Sequence, residues 1–140
     1  MATIKRFEDL EIWQEARGLA KQVYLISENS DLNKDYRFKD QIKASAGSVM
    51  DNIAEGFERS GSSEFRQFLS IAKGSAGETR SQLYRALDFG YINTENFETI
   101  KSSYENLSGK INNFIKYLNQ QDFKGTKFRH EQRETLNLKP

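Results

Sequence analysis

This chain has a single proline, Pro140, which is also its last residue, and this near absence of proline constrains the fold most. Proline removes a backbone donor and breaks helices, so the 140 residues can form long, uninterrupted helices. Hydrophobic side chains then recur at helical spacing in four consecutive segments. The length suits one domain with one hydrophobic core.

The four segments predict helices at about residues 8–28, 34–58, 62–89 and 94–120. The clearest apolar heptad is in the fourth and consists of Phe97, Ile100, Tyr104, Leu107, Ile111, Phe114 and Leu118. Ser62 is a candidate N-cap of the third helix, Asn93 or Thr94 of the fourth, and Gly90 suits the end of the third. Because short loops return the chain beside its predecessor, we predict an all-α, up-and-down antiparallel four-helix bundle with helices about 30–40 Å long.

The bundle is expected to span residues 1–121, and the remaining residues are expected to differ from it. The apolar rhythm ends at about Gln121. Residues 122–140 carry a small excess of Lys and Arg, so we predict a mildly basic and poorly ordered tail.

Composition excludes several classes of function. The chain has no Cys, which excludes disulfides, thiolate metal sites and Cys nucleophiles, and its one His is His130, in the tail. Lys and Arg total 21 against 20 Asp and Glu, a balance that excludes a polyanion-binding tail and argues against strong nonspecific binding. No segment has the length of a membrane span or the pattern of a signal peptide, so we expect a cytoplasmic protein with no membrane partner.

Glu55 and Glu78 are the carboxylates that could hold metals between helices. The di-iron pattern requires Glu-x-x-His on two helices, and the chain lacks it. A structural role is the favoured interpretation, with Arg59 or Arg80 as partners that offset desolvation. Since the Ser, His and acid arrangement of a nucleophilic site is also missing, the sequence predicts no metal, no cofactor and no enzyme.

Small residues interrupt the second and third helices, at residues 44–48 and 74–77. Each glycine inside a helix costs about 1 kcal/mol relative to alanine, so these glycines need a compensating reason. The two stretches fall at similar heights of an antiparallel hairpin, which predicts that they let the two backbones approach closely. A phosphate-binding glycine loop would need a preceding strand and a Gly-Lys-Ser/Thr sequence, and neither is present.

Two motifs carry a resemblance to a known family. Their residues are Asn52-Ile53-Ala54-Glu55-Gly56 followed by Arg59, and Gly74-Ser75 followed by Glu78-Thr79. The pattern also includes Phe7-Glu8-Asp9-Leu10, Trp13 and Gln41-Ile42. In these residues the chain resembles the four-helix-bundle family of bacterial 23S rRNA intervening-sequence proteins over about residues 7–118. Met50 stands where many members carry Pro, so a kink at that position is not carried over.

The resemblance implies a ring-shaped homopentamer and no known enzymatic activity. Relatives of the family include an accessory protein of diversity-generating retroelements, which binds nucleic acid and a reverse transcriptase. The resemblance therefore implies self-association, with RNA, DNA, a reverse transcriptase or another protein as candidate partners. It also implies a structural role for the motif residues Asn52, Glu55, Gly56, Gly74, Ser75 and Glu78.

A basic row is the candidate nucleic-acid site. Arg66, Lys73 and Arg80 recur every seven residues, with Arg59 one further step back across a turn. Such a row could contact phosphates, especially if a ring repeats it. Alternatively, these side chains only flank a seam of the bundle, cover apolar surface and pair with acids.

An apolar row on the first helix is the candidate oligomer interface. Ile12, Leu19 and Ile26 also recur every seven residues, which widens the apolar arc of this helix. If this row were exposed, it would favour self-association. Two neighbouring helices of the same chain could equally cover it. The sequence thus favours a non-enzymatic oligomer that binds RNA or DNA phosphates without base readout, and a protein-binding scaffold is the alternative.

Overall fold

The computed structural model describes residues 4–137, with side chains for residues 4–121. Four α-helices follow in order, α1 Glu11–Glu28, α2 Tyr36–Glu58, α3 Ser62–Asp88 and α4 Thr94–Asn137. Short 3-10 turns at Phe7–Asp9 and Asp31–Lys34 precede α1 and α2. No strand falls within residues 4–137, which confirms the all-α fold class. No helix of the described residues is long and apolar enough to cross a membrane.

The helices form an up-and-down bundle, as the loop lengths predict. Each helix packs along its successor, and α1 closes the bundle against α4, where packing is least extensive. Buried side chains fall at the predicted heptad positions. Those of α4 include Phe97, Tyr104, Leu107 and Ile111, each at most 2% exposed.

Local capping explains the start of α4 and the end of α3. The Asn93 carboxamide accepts from the Asn96 backbone N–H at 2.8 Å, which confirms Asn93 as a cap of α4. Gly90 has φ +77°, the left-handed conformation that closes α3. Ser62 is instead the first helical residue of α3, because Gly61 occupies the N-cap position with φ +141°.

The fourth helix ends later than its apolar pattern suggests. The sequence places this end near residue 120, whereas α4 is assigned to Asn137. The heptad ends at Leu118, and no proline follows it before Pro140, so no residue type forces the backbone out of the helix there. The side chains of residues 122–140 lie outside the described part, and the prediction of a poorly ordered tail stays a prediction.

The close approach of α2 and α3 occurs at Gly56 and not at the predicted glycines. A Cβ on Gly56 would lie 2.6 Å from the Phe68 Cβ and 3.1 Å from the Phe65 Cδ1. A Cβ on Gly47, Gly74 or Gly77 would meet nothing within 4 Å. The close-packing prediction is therefore wrong for those three glycines, because their Cα atoms face away from the seam.

Small side chains other than glycine do form the centre of this seam. Ala46 of α2 and Ala72 and Ala76 of α3 are at most 1% exposed. Alanine at these positions brings helix axes together without the helix-propensity cost of glycine.

We predict that Gly56→Ala lowers the free energy of unfolding by about 1–3 kcal/mol, because the new methyl group overlaps the Phe68 Cβ, which is fixed to its backbone. Gly74→Ala is the matched control and should raise it by about 0.5–1 kcal/mol, since its site is open. Urea unfolding followed by circular dichroism measures both values. Equal effects of the two substitutions would contradict the assignment of the close approach to Gly56.

Candidate functional site

The basic row of α3 lies along the seam with α4. An Arg66 guanidinium N–H donates to the Leu118 carbonyl at 3.4 Å, and the Lys73 ammonium donates to the Asn112 carboxamide at 3.2 Å. Lys73 is exposed, and Arg66 and Arg80 are partly buried. The structure thus brings together three of the four predicted basic residues, on the flank of a seam.

Arg59 lies apart from this row. Its guanidinium pairs with the Glu55 carboxylate at 3.0 Å and lies 5.2 Å from the centre of the Phe68 ring. Phe68 is two residues from Arg66 and therefore on the far flank of α3, which faces α2. The spacing of seven does not continue through Gly61, because the chain leaves the helix there.

Small residues form a strip on α3 beside the basic row. Its members are Ser70, Gly74, Gly77 and Ser81, which are exposed or partly exposed. Since a Cβ on either glycine would meet nothing within 4 Å, the strip is a shallow surface next to the cations. Sequence reasoning missed this strip because it assigned the same glycines to the helix contact.

Two of the family-motif residues, Asn52 and Ser75, lie in a polar network between α2 and α3. The Ser48 and Ser75 hydroxyls are hydrogen-bonded across the seam at 2.9 Å. Asn52 donates from its carboxamide to the carbonyl and to the hydroxyl of Ser48, both at 2.8 Å. The Ser48–Ser75 bond therefore fixes the height at which the two helices meet, and Asn52 orients the Ser48 hydroxyl from the same helix.

A second part of the network is buried. The Thr79 hydroxyl donates to the Ser45 hydroxyl at 2.8 Å, and Ser45 donates to the Gln82 carboxamide oxygen at 2.6 Å. Gln82 in turn donates to the Glu78 carboxylate at 3.3 Å, so Glu78 pairs with Gln82 and not with Arg80. Buried hydroxyls with partners on the facing helix specify one register, because a shifted register would leave them unpaired.

Tyr104 brings an unpaired hydroxyl to this region. Its side chain is 1% exposed beside Thr79, and its hydroxyl has no hydrogen-bond partner among the described residues. Burial raises the pKa of the Tyr104 phenol above its ordinary value, because the charged phenolate is disfavoured in an apolar interior.

The apolar row of α1 is largely inside the bundle. Ile12 and Leu19 are 4% and 5% exposed, and Ile26 is partly buried. Covering by helices of the same chain accounts for their apolar character. This arrangement is the alternative that the sequence left open for Ile12, Leu19 and Ile26, in which neighbouring helices of the same chain cover the row.

The seam between α1 and α4 is held by a lysine and flanked by open grooves. The Lys110 ammonium lies 2.6 Å from carboxylate oxygens of both Glu11 and Glu15, and these hydrogen bonds raise its pKa. A groove of about 500 Å³, largely apolar, lies at one end between Ile4 and Tyr117. A second of about 250 Å³ lies at the other end beside Leu25.

Metal-binding clusters are absent from the described side chains. No group of three or more His, Asp or Glu residues among them could hold a metal ion. His130 lies outside the residues whose side chains are described.

Comparison with known proteins identifies one family. The sequence profile described as "23S rRNA-intervening sequence protein" matches residues 8–113. Among solved structures, a protein of unknown function from the S23 ribosomal protein family of Bacteroides thetaiotaomicron is similar, with a TM-score of 0.68 and 24% identity. The likeness covers 75% of this chain and 95% of that chain and shows the shared fold. No curated protein matches the chain.

We predict that Tyr104→Phe reduces the loss of stability at alkaline pH. Because the folded pKa is raised, the unfolded chain releases this proton first, so the free energy of unfolding falls as pH rises above about 10. The variant lacks this proton, so its free energy of unfolding should fall less as pH rises. At pH 7 its stability should equal or exceed that of the wild type, because the hydroxyl that it removes is unpaired.

Urea unfolding at pH 7 and at several values above pH 10 measures this difference. Tyr36→Phe removes a hydroxyl from an exposed ring and controls for the substitution itself at pH 7. Identical pH slopes for the wild type and Tyr104→Phe would refute the assignment.

Proposed function

Since this chain belongs to the 23S rRNA-intervening sequence protein family, we propose that it is a non-enzymatic, ring-like homo-oligomer that binds the phosphate backbone of RNA or DNA. The proposed ring is a pentamer. The observation that carries the proposal is the basic row of α3, formed by Arg66, Lys73 and Arg80 beside the small-residue strip.

Two charges of this row, those of Lys73 and Arg80, support phosphate binding because no carboxylate among residues 4–121 neutralises them. No carboxylate of residues 4–121 forms an ion pair with Lys73 or Arg80, and the bonded partner of Lys73 is a neutral carboxamide. Successive members are about 10 Å apart along the helix, at 1.5 Å per residue. An anion can therefore approach Lys73 and Arg80 without displacing an acidic side chain of residues 4–121.

The small-residue strip supports close approach of a polymer. Gly74 and Gly77 leave the surface of α3 flat next to the cations. A phosphate backbone lying on this strip could meet Arg66, Lys73 and Arg80 from one side. A ring would repeat the row in each subunit. The summed positive potential of several rows attracts a polyanion more strongly than that of one row.

The open seam between α1 and α4 supports self-association. Leu25 is 44% exposed at one end of the seam, and Ile4 and Tyr117 are 41% and 38% exposed at the other. A second copy lying along this seam would cover these apolar side chains and fill both grooves. This surface replaces the row of Ile12, Leu19 and Ile26 as the proposed interface.

A protein-binding scaffold is the alternative function. The same exposed apolar seam could receive a different protein, such as a reverse transcriptase, without any role for nucleic acid. The two functions differ in their dependence on the basic row and on salt.

We predict that the triple variant Arg66→Gln, Lys73→Gln, Arg80→Gln loses retardation of RNA and DNA in low-salt gels. Each phosphate contact contributes about 0.9 to the slope of log affinity against log salt for duplex DNA, so the slope should also fall. Fluorescence anisotropy at several salt concentrations measures both quantities.

The single variants Lys73→Gln and Arg59→Gln are the matched pair, because each removes one charge and only Lys73 belongs to the row. Lys73→Gln should weaken binding more. Wild-type protein that retards neither RNA nor DNA would contradict the proposal and favour the scaffold.

We predict that Leu25→Glu shifts the protein from an oligomer towards the 16.2 kDa monomer in light scattering, because it places a charge in the proposed interface. Ile71→Glu is the matched control, since Ile71 is 48% exposed on α3, away from this seam. A wild-type monomer at micromolar concentration would show that the proposed self-association is wrong.

A further inference from the structure

Three aromatic rings, each with a cation over one side of the ring, lie along α1 and α2. Arg17 lies 5.6 Å from the centre of the Trp13 ring, and Lys43 lies 4.9 Å from the Tyr24 ring. Lys39 lies 5.3 Å from the Tyr36 ring. We call this surface the aromatic–cation face and define it by these six residues.

The helical spacing places these residues on one side of the molecule. Trp13, Arg17 and Tyr24 share the flank of α1 that faces α2, and Tyr36, Lys39 and Lys43 share the matching flank of α2. Lys43 joins the two helices, because its ammonium also lies 3.1 Å from the Glu28 carboxylate of α1.

The rings of this face are more exposed than packing requires. Tyr24 is 50% exposed and Tyr36 is 71% exposed, whereas Tyr104 at the core is 1% exposed. The α1–α2 contact is already made by buried residues such as Val23 and Ile42. The two tyrosines therefore present ring surface to solvent beside cations instead of burying it.

The charge of the face is mainly positive. Its six residues include three cations, Arg17, Lys39 and Lys43, and no carboxylate, and Glu28 of α1 pairs with Lys43. A ligand that matches this surface has flat aromatic groups and regularly spaced negative charges.

Unpaired nucleobases in a polynucleotide have this chemistry. Bases stack on exposed aromatic side chains with little sequence preference, and Lys or Arg beside the ring neutralises the phosphates. A duplex offers its phosphates but keeps its base faces inside the stack. From Trp13 to Tyr24 the helix rises about 16 Å, roughly the length of five stacked nucleotides.

We propose that the aromatic–cation face binds single-stranded RNA or DNA by stacking unpaired bases on Tyr24 and Tyr36. The inference rests on the proposed nucleic-acid binding and adds a preference for single strands at a separate surface. The α1–α2 side of the bundle lies opposite the α3–α4 seam that carries the basic row, so substitutions can separate the two surfaces.

The test compares the wild type with the double variant Tyr24→Leu, Tyr36→Leu in anisotropy titrations. The probes are labelled oligo(U), oligo(dT) and a blunt DNA duplex at one salt concentration. The wild type should prefer single strands over the duplex, and the double variant should bind them about tenfold or more weakly. The control Tyr24→Phe, Tyr36→Phe keeps both rings and should bind like the wild type.

Trp13 gives a second readout, because it is the one tryptophan of the chain and belongs to the face. Bases that stack nearby should quench its emission on titration with unlabelled oligo(U) or oligo(dT). The ratio of the two affinities then identifies RNA or DNA as the ligand, and binding of either supports the proposal.

Three outcomes would overturn the inference. If the wild type and the leucine variant bound single strands equally, the rings would have no role in binding. If the wild type bound duplex and single strands equally, stacking of unpaired bases would also be excluded. If only the triple variant of the basic row lost binding, phosphate binding by α3 would stand and the aromatic–cation face would fail. If no oligonucleotide bound the wild type, both proposals would fail. The ring–cation pairs would then be only contacts between side chains on the surface of α1 and α2.

Discussion

The contact between α2 and α3 is the constraint on which the other surfaces of this bundle depend. Its centre is made of alanines and hydroxyls, and Gly56 brings the backbone of α2 against Phe65 and Phe68. Apolar packing alone would allow these helices to shift along each other by one turn, because small side chains interlock only weakly. The Ser45, Thr79 and Gln82 hydrogen bonds remove that freedom, since they pair only in one register.

The fixed register gives the four seams of the bundle different chemistry. The α2–α3 seam holds the polar network, and the α3–α4 seam carries the basic row with neutral acceptors on α4. The α1–α2 seam carries the aromatic–cation face. The α1–α4 seam is the most open and is crossed by Lys110. One amphipathic fold thus separates a charged surface, the aromatic–cation face and an apolar surface.

The sequence predicted the helices well because their physics is local. Heptad spacing, the absence of internal proline and the caps at Asn93 and Gly90 depend on neighbours along the chain. The facing directions of Gly47 and Gly74 were predicted wrongly because they depend on which helix lies opposite. Arg59 was placed in the basic row by a spacing that the turn at Gly61 interrupts. The Lys43 pair with Tyr24 was not predicted, since its members lie on different helices.

Because α1 packs against α4, the bundle can close only after the last helix has left the ribosome. The first helix leaves the ribosome early, yet the residues of α4 that pack against it, such as Ile100, Leu107 and Ile111, follow about 70 to 100 positions later. The α2–α3 hairpin needs only contacts between near neighbours and can form while translation continues. Until the last helix emerges, Ile12 and Leu19 remain uncovered on the nascent chain, which makes this interval the period of greatest exposure to chaperones and to aggregation.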